Sequence, residues 1–137
     1  MSTEIDDLQD ESVELKIETV LNPSEDPDKV KKCLLNVANG CQPAIKNGYL
    51  VATCKGMLSL HHIRVGVRSK SSSAVLRKLL EWNRKDNLTW FFLNKQAAYC
   101  GVISLAERDE ESTLGPIRVT ITSNKLDKVI EWLLSSR

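Results

Sequence analysis

VELKIETVL, residues 13–21, alternates apolar side chains with charged or polar ones and decides how the chain begins to fold. An apolar residue at every second position is typical of a β-strand that buries one face and leaves the other in water. A strand cannot bury its own apolar face, so the remaining sequence must supply partner strands and a second layer.

Further apolar runs predict the partner strands. Residues 44–46 and 49–54 flank Asn47-Gly48, a pair that suits the two-residue turn of an antiparallel hairpin. Residues 88–93 are apolar on both faces apart from Thr89, which indicates a central strand or an aromatic face kept for a partner. The other predicted strands are residues 102–107 and 117–122.

Three segments carry the apolar spacing of helices. The first begins after Asp26, a favourable N-cap, with Pro27 at its first position. Its apolar stripe consists of Val30, Cys33, Leu34 and Val37. The second is predicted from residues 71–73 to Asp86-Asn87. The third begins at Asn124, with Asp127 in the capping-box place.

Residues 57–70 fit both a strand and a helix. Ile63, Val65 and Val67 alternate as in a strand, whereas Leu60, Ile63 and Val67 share one helical face. Gly66 weakens both interpretations. The family resemblance described below favours the helix.

These elements predict a two-layer α+β fold, with one mostly antiparallel or mixed sheet and helices packed on one face. The chain has 137 residues and is 42% apolar, which suits a single domain over residues 13–137. Residues 1–12 hold five acids and no base, so we expect a disordered acidic tail that either aids solubility or masks a basic surface. The second face of the sheet is left uncovered, as a binding platform or a dimer interface.

Several classes of protein are excluded by what the sequence lacks. It has no run of ~20 apolar residues and no secretion signal, so we expect a cytoplasmic protein without a membrane partner. The four cysteines match no zinc spacing and are expected as buried free thiols, rather than as a metal site or a disulfide. The adjacent His61 and His62 cannot chelate as a pair, and no glycine-rich phosphate loop is present. We therefore expect no enzyme, no cofactor, no metal and no small-molecule substrate.

The middle of the chain is basic. Without the tail, 19 bases face 13 acids, and residues 55–85 hold eight bases against Glu81 alone. Such a cluster suits a phosphate backbone, although a solvated helix surface gives the same pattern. The candidate contacts in this segment are Arg64, Arg68, Lys70, Arg77, Lys78, Arg84 and Lys85. Trp82, Trp90 and Phe92 would stack on bases only if the fold leaves them exposed, and core packing is the alternative.

Two blocks near the C-terminal end mix polar with apolar residues: LNKQAAYCG, residues 93–101, and LGPIRVTI, residues 114–121. In the first block, Lys95 would contact a phosphate, while Asn94 and Gln96 offer donors and acceptors to a base edge or a partner backbone. The alternative is a structured turn whose amides satisfy local backbone groups.

These blocks, together with NPSEDPDKVKKCLLN at residues 22–36, resemble a family of small uncharacterised archaeal proteins labelled RNA-binding-like. The family's fold is similar to that of a large-subunit ribosomal protein that contacts 5S ribosomal RNA. The resemblance spans about residues 13–134 and implies two helices between residues 57 and 83. Its signature positions are 94–97 and 114–117, which carry no established catalytic role.

We therefore expect a non-catalytic nucleic-acid binding protein, with RNA as its partner, that contacts phosphates through a basic surface. The alternative is a protein–protein interaction module or homodimeric scaffold that uses the uncovered sheet face.

Overall fold

The computed structural model describes residues 13–38, 40–106 and 115–135. The strands are β1 (Glu14–Val20), β2 (Gln42–Lys46), β3 (Tyr49–Lys55), β4 (Leu88–Leu93), β5 (Leu105–Ala106) and β6 (Ile117–Thr122). The helices are α1 (Pro27–Val37), α2 (His61–Ser69), α3 (Ser73–Trp82), α4 (Lys95–Tyr99) and α5 (Leu126–Leu134). The predicted acidic tail and the end of the predicted strand 102–107 lie outside the described residues. None of the described helices has the length and apolar character needed to cross a membrane.

The strands form one sheet in the order β2-β3-β1-β6-β4-β5, and all neighbouring pairs are antiparallel. β1 lies inside this sheet, where Glu18 pairs with Val51 of β3 on one side and with Arg118 of β6 on the other. The predicted hairpin is confirmed, because Asn47 and Gly48 have φ angles of 50° and 80°, as a type I′ turn requires.

The helices cover one face of the sheet, which confirms the predicted two-layer α+β fold. The buried strand residues on this face include Leu15, Ile17, Phe91, Val119 and Ile121. The helical stripes that complete the core include Val30, Leu34, Ile63, Leu76, Leu80, Val129 and Leu133. The alternate residues of each strand point away from the helices, as the period of two in β1 predicts.

The ambiguous segment at residues 57–70 is helical, as the resemblance implied. A 3₁₀ turn at Met57–Leu60 leads directly into α2, whose buried residues are Ile63 and Val67. Gly66 lies within this helix, and a Cβ atom at its position would overlap the side chain of Ile103. The glycine therefore allows the segment after α4 to pack closely against α2.

Three local predictions are wrong. Cys41 and Cys54 form a disulfide with a Cα–Cα distance of 5.0 Å, because the β2–β3 register places them opposite each other. Helix α3 ends at Trp82, and Lys85 and Leu88 then exchange backbone hydrogen bonds in a tight turn before β4. At the start of α5, the hydroxyl of Ser123, and not the predicted Asn124, accepts from the backbone N–H of Lys125.

Candidate nucleic-acid interface

The block LNKQAAYCG builds a buried ion pair and not a phosphate contact. Lys95 is fully buried, and its Nζ donates to the backbone oxygen of Val20 at 2.7 Å and to Oε1 of Glu25 at 2.9 Å. Asn94 caps α4, since its side-chain oxygen accepts from the N–H of Ala97 at 2.8 Å. The burial of Lys95 contradicts its predicted phosphate contact. Asn94 is only half-buried, so its predicted contact stays a prediction beside the alternative of a structured turn.

Glu25 lies at the centre of this buried cluster. Burial raises the pKa of its carboxyl, but hydrogen bonds from the backbone and side chain of Asn22 and the ammonium of Lys95 outweigh that effect, so the pKa is lowered. The hydroxyl of Tyr99 donates to the second carboxylate oxygen at 3.3 Å. Burial, followed by the charge of Glu25, raises the pKa of Tyr99 to about 12. The cluster thus joins the end of β1 to α4 and holds charges that are not exposed to a ligand.

The arginines of the basic segment are partly used within the protein. Arg64 donates through Nε to the backbone oxygen of Trp132 at 2.9 Å and lies over its ring. Arg77 pairs with Glu131 at 3.0 Å, and Arg84 pairs with Asp127. These contacts join α2, α3 and the turn after α3 to α5. Arg77 and Arg84 are thus paired with acids of α5, whereas Arg64 keeps its charge and is held by a carbonyl and a ring. The phosphate contacts expected of all three stay predictions.

The other predicted contacts are exposed but lie in different places. Lys70 lines a groove with His61 and His62 beside the Gly101–Ile103 segment. Gln96 lies on α4, which packs against α1 in the helical layer. Lys78 points toward Trp82. The last two of the predicted contacts, Arg68 and Lys85, are also exposed.

A groove of about 410 Å³ lies where α3 meets the margin of the sheet. We call it the aromatic groove and define it by Val75, Lys78, Trp82, Asn83, Trp90 and Phe92. Trp82 is 77% exposed, which is unusual for so large an apolar side chain. The amide of Asn83 donates to the backbone oxygen of Trp90 at 2.9 Å and fixes the end of α3 to β4. The groove therefore presents indole rings on a rigid frame.

The sheet face opposite the helices continues from this groove. We call it the open face. It consists of the side chains of β1, β3, β4 and β6 that point away from the helices, namely Glu14, Lys16, Glu18, Val20, Tyr49, Val51, Thr53, Lys55, Leu88, Trp90, Phe92, Arg118, Thr120 and Thr122. The guanidinium of Arg118 lies 4.7 Å from the ring centre of Trp90. Trp90 and Phe92 are in edge-to-face contact at 5.2 Å. Aromatic and cationic groups are thus adjacent on one surface.

The sequence contained signals for part of this surface. The alternation in residues 117–122 places Arg118 on the solvated face, away from Ile117 and Val119. Trp82 follows Lys78 by four residues, the spacing that brings two side chains together on a helix. Neither signal shows that Arg118 and Trp82 border the same surface, because β4 comes to lie between them only in the folded protein.

These features define a class of protein: a two-layer α+β domain with an open antiparallel sheet whose uncovered face carries aromatic and cationic side chains. Within that class, the chain belongs to the family whose model is described as RNA binding, which matches residues 14–123. It is the archaeal family of UPF0201 proteins. The expected likeness to a ribosomal protein remains a prediction.

Individual relatives support this assignment. A UPF0201 protein of Sulfurisphaera tokodaii is 38% identical over 121 residues, which cover 85% of this chain and 83% of the relative. One from Methanothermobacter thermautotrophicus is 30% identical, with 87% and 89% covered. The crystal structure of a UPF0201 protein from Methanococcus jannaschii has a TM-score of 0.74 at 29% identity and covers 88% of this chain and 92% of that one.

Proposed function

We propose that this protein binds RNA without catalysing a reaction, and that an unpaired RNA strand lies across the aromatic groove and the open face. The family model's description as RNA binding supports the partner. The observation that supports the place is the exposure of Trp82, 77%, beside Trp90 and Phe92. Aromatic rings left in water offer stacking surfaces to bases, and stacking contributes about 1–3 kcal/mol per base.

A cation lies beside each of the two tryptophans of the proposed surface, Trp82 and Trp90. Nζ of Lys78 lies 5.7 Å from the ring centre of Trp82, and Arg118 stacks on Trp90 at 4.7 Å. A base stacked on Trp82 would place its phosphate near Lys78. At Trp90, where the guanidinium of Arg118 already covers the ring, a base can stack on the guanidinium plane instead. Unpaired RNA suits this arrangement better than a duplex, because its bases are free to leave the stack.

The test is a fluorescence anisotropy titration with a labelled, unstructured RNA decamer. Trp82→Ala should weaken binding about tenfold, since one stacking surface is lost. Leu58→Ala is the matched control, because Leu58 is 57% exposed but lies on the 3₁₀ turn outside the groove. Equal affinities of the two variants would refute the proposed surface, and absence of binding at low salt would refute RNA binding itself.

Self-association through the open face is the second candidate. Val20, Val51 and Phe92 give this face an apolar component that a second copy would bury. Sedimentation at micromolar concentration tests it, and Val51→Lys should convert a dimer into a monomer. A monomeric mass for the unchanged protein would exclude this candidate.

A further inference from the structure

Glu18 lies in the middle of the open face, where a surface built only for phosphates would not place a carboxylate. Its strand neighbours in register are Val51 and Arg118. A negative charge at this position repels an RNA backbone. Either Glu18 is neutralised by Arg118, or the carboxylate has another partner.

The guanidinium of Arg118 makes its described contact with an aromatic ring and not with Glu18. It lies over the ring of Trp90, on the strand beyond, at 4.7 Å from the ring centre. Among the described residues, Glu18 forms an ion pair with Lys16, whose Nζ lies 3.9 Å from Oε2. This distance exceeds that of a hydrogen bond, so the ion pair fills none of the acceptor positions of the carboxylate. The carboxylate oxygens thus remain available as acceptors, and the side chain is 23% exposed.

A pocket of about 490 Å³ lies beside this carboxylate. Phe92 and Tyr49 supply aromatic walls, and Arg118 and Pro116 lie between them. Adjacent strands are about 4.8 Å apart, so Glu18 and Phe92, which are separated by β6, lie roughly 10 Å apart. A base that stacks on Phe92 can direct its edge toward Glu18 across that distance.

The geometry points to guanine as the base that this pocket accepts, an inference that rests on the proposed RNA binding. An ionised carboxylate only accepts hydrogen bonds, and it can accept two in parallel. Guanine carries two adjacent donors on its pairing edge, the ring N1–H and the N2 amino group. Adenine, cytosine and uracil each offer one donor there beside an acceptor that the carboxylate repels. Glu18 therefore selects an unpaired guanine within the bound RNA.

The experiment compares labelled octamers of uridine with octamers that hold one central guanosine, inosine, adenosine or cytidine. We expect the guanosine octamer to bind at least about fivefold tighter than the others, because a bidentate pair discriminates on that scale. Inosine lacks the N2 amino group and should lose most of this advantage. Glu18→Gln should abolish the preference, because an amide offers one donor and one acceptor, a pattern that the pairing edges of all four bases can match.

Glu14→Gln is the matched control, because Glu14 lies on the same strand and the same face but is paired in register with Lys55 and Thr122, outside the pocket. It should keep the preference for guanosine. A preference that is absent in the unchanged protein, or that survives in Glu18→Gln, overturns this inference and leaves RNA binding intact. Failure of every octamer to bind overturns the proposed function and this inference together.

Discussion

Lys95 and Glu25 form an ion pair with an Nζ–Oε1 distance of 2.9 Å, and their side chains are only 0% and 5% exposed. The pair lies 70 residues apart in the chain and fixes α4 to the loop between β1 and α1. A charge buried this deeply is tolerated only because its partners satisfy it. The signature block around Lys95 therefore has a structural role.

Replacement of Lys95 tests this role. Lys95→Met should lower the free energy of unfolding by about 3–5 kcal/mol, because it leaves the carboxylate of Glu25 buried without its cation. Urea denaturation followed by circular dichroism measures the change. Gln96→Met is the control, since Gln96 is the exposed neighbour on the same helix. An unchanged unfolding midpoint in Lys95→Met would contradict the structural role.

The lowered pKa of Glu25 predicts how stability depends on pH. A carboxyl whose pKa in the folded protein lies below its ordinary value of 4.5 binds fewer protons when folded than when unfolded. Its contribution to stability is therefore complete above pH 4.5 and is lost as the pH falls through the folded value. Denaturation curves between pH 3 and pH 7 should show a steeper loss for the unchanged protein than for Glu25→Gln, and parallel curves would refute the prediction.

The contact of Gly66 with Ile103 predicts a rescue experiment. Gly66→Ala would gain about 1 kcal/mol of helix propensity, but its Cβ overlaps the side chain of Ile103 and costs about 1–3 kcal/mol. We expect a net loss of thermal stability for the single variant. In an Ile103→Gly background the same change should be neutral or stabilising, because the Cβ and both Cγ atoms that overlap the new methyl group are gone. A stabilising effect in both backgrounds would show that the close contact is absent.

How far the sequence predicted this molecule depends on whether the decisive contact is local. The period of two in β1, the turn at Asn47-Gly48 and the stripe of α1 are set by neighbouring residues, and all three are confirmed. The direction of Lys95 is set by Glu25, whose carboxylate no local pattern connects to it.

The same reasoning explains the basic segment. Arg77 meets Glu131 across 54 positions in the chain, and Arg84 meets Asp127 across 43. Counting charges between residues 55 and 85 cannot reveal acids that α5 contributes from outside that segment. The sequence prediction missed the disulfide of Cys41 and Cys54 for another reason. The turn at Asn47-Gly48 already implied the strand register that places the two cysteines opposite each other, so this contact was predictable from local sequence.

The stacking of Arg118 on Trp90 predicts that its geometry matters as well as its charge. Arg118→Lys keeps the positive charge but replaces a planar group that stacks on rings with a compact ammonium. We expect weaker RNA binding with an unchanged salt dependence, and a changed tryptophan emission in the free protein. Anisotropy and fluorescence spectra measure the two effects. Arg64→Lys, which alters the stack on Trp132 in the helical layer, should leave RNA affinity unchanged.

Lys78 and Arg77 are neighbours on α3 that the structure assigns to different partners. Lys78 lies beside the exposed ring of Trp82, whereas Arg77 pairs with Glu131 of α5. If RNA lies in the aromatic groove, Lys78→Gln removes a phosphate contact, and the slope of log affinity against log salt should fall by about 0.7–0.9. Arg77→Gln removes the same charge one residue away and should leave that slope unchanged.

Titrations from 50 to 200 mM salt, a range over which such contacts change affinity strongly, measure both slopes. Equal reductions for the two variants would mean that RNA responds to the net charge of α3, and the assignment of the groove as the interface would then be wrong.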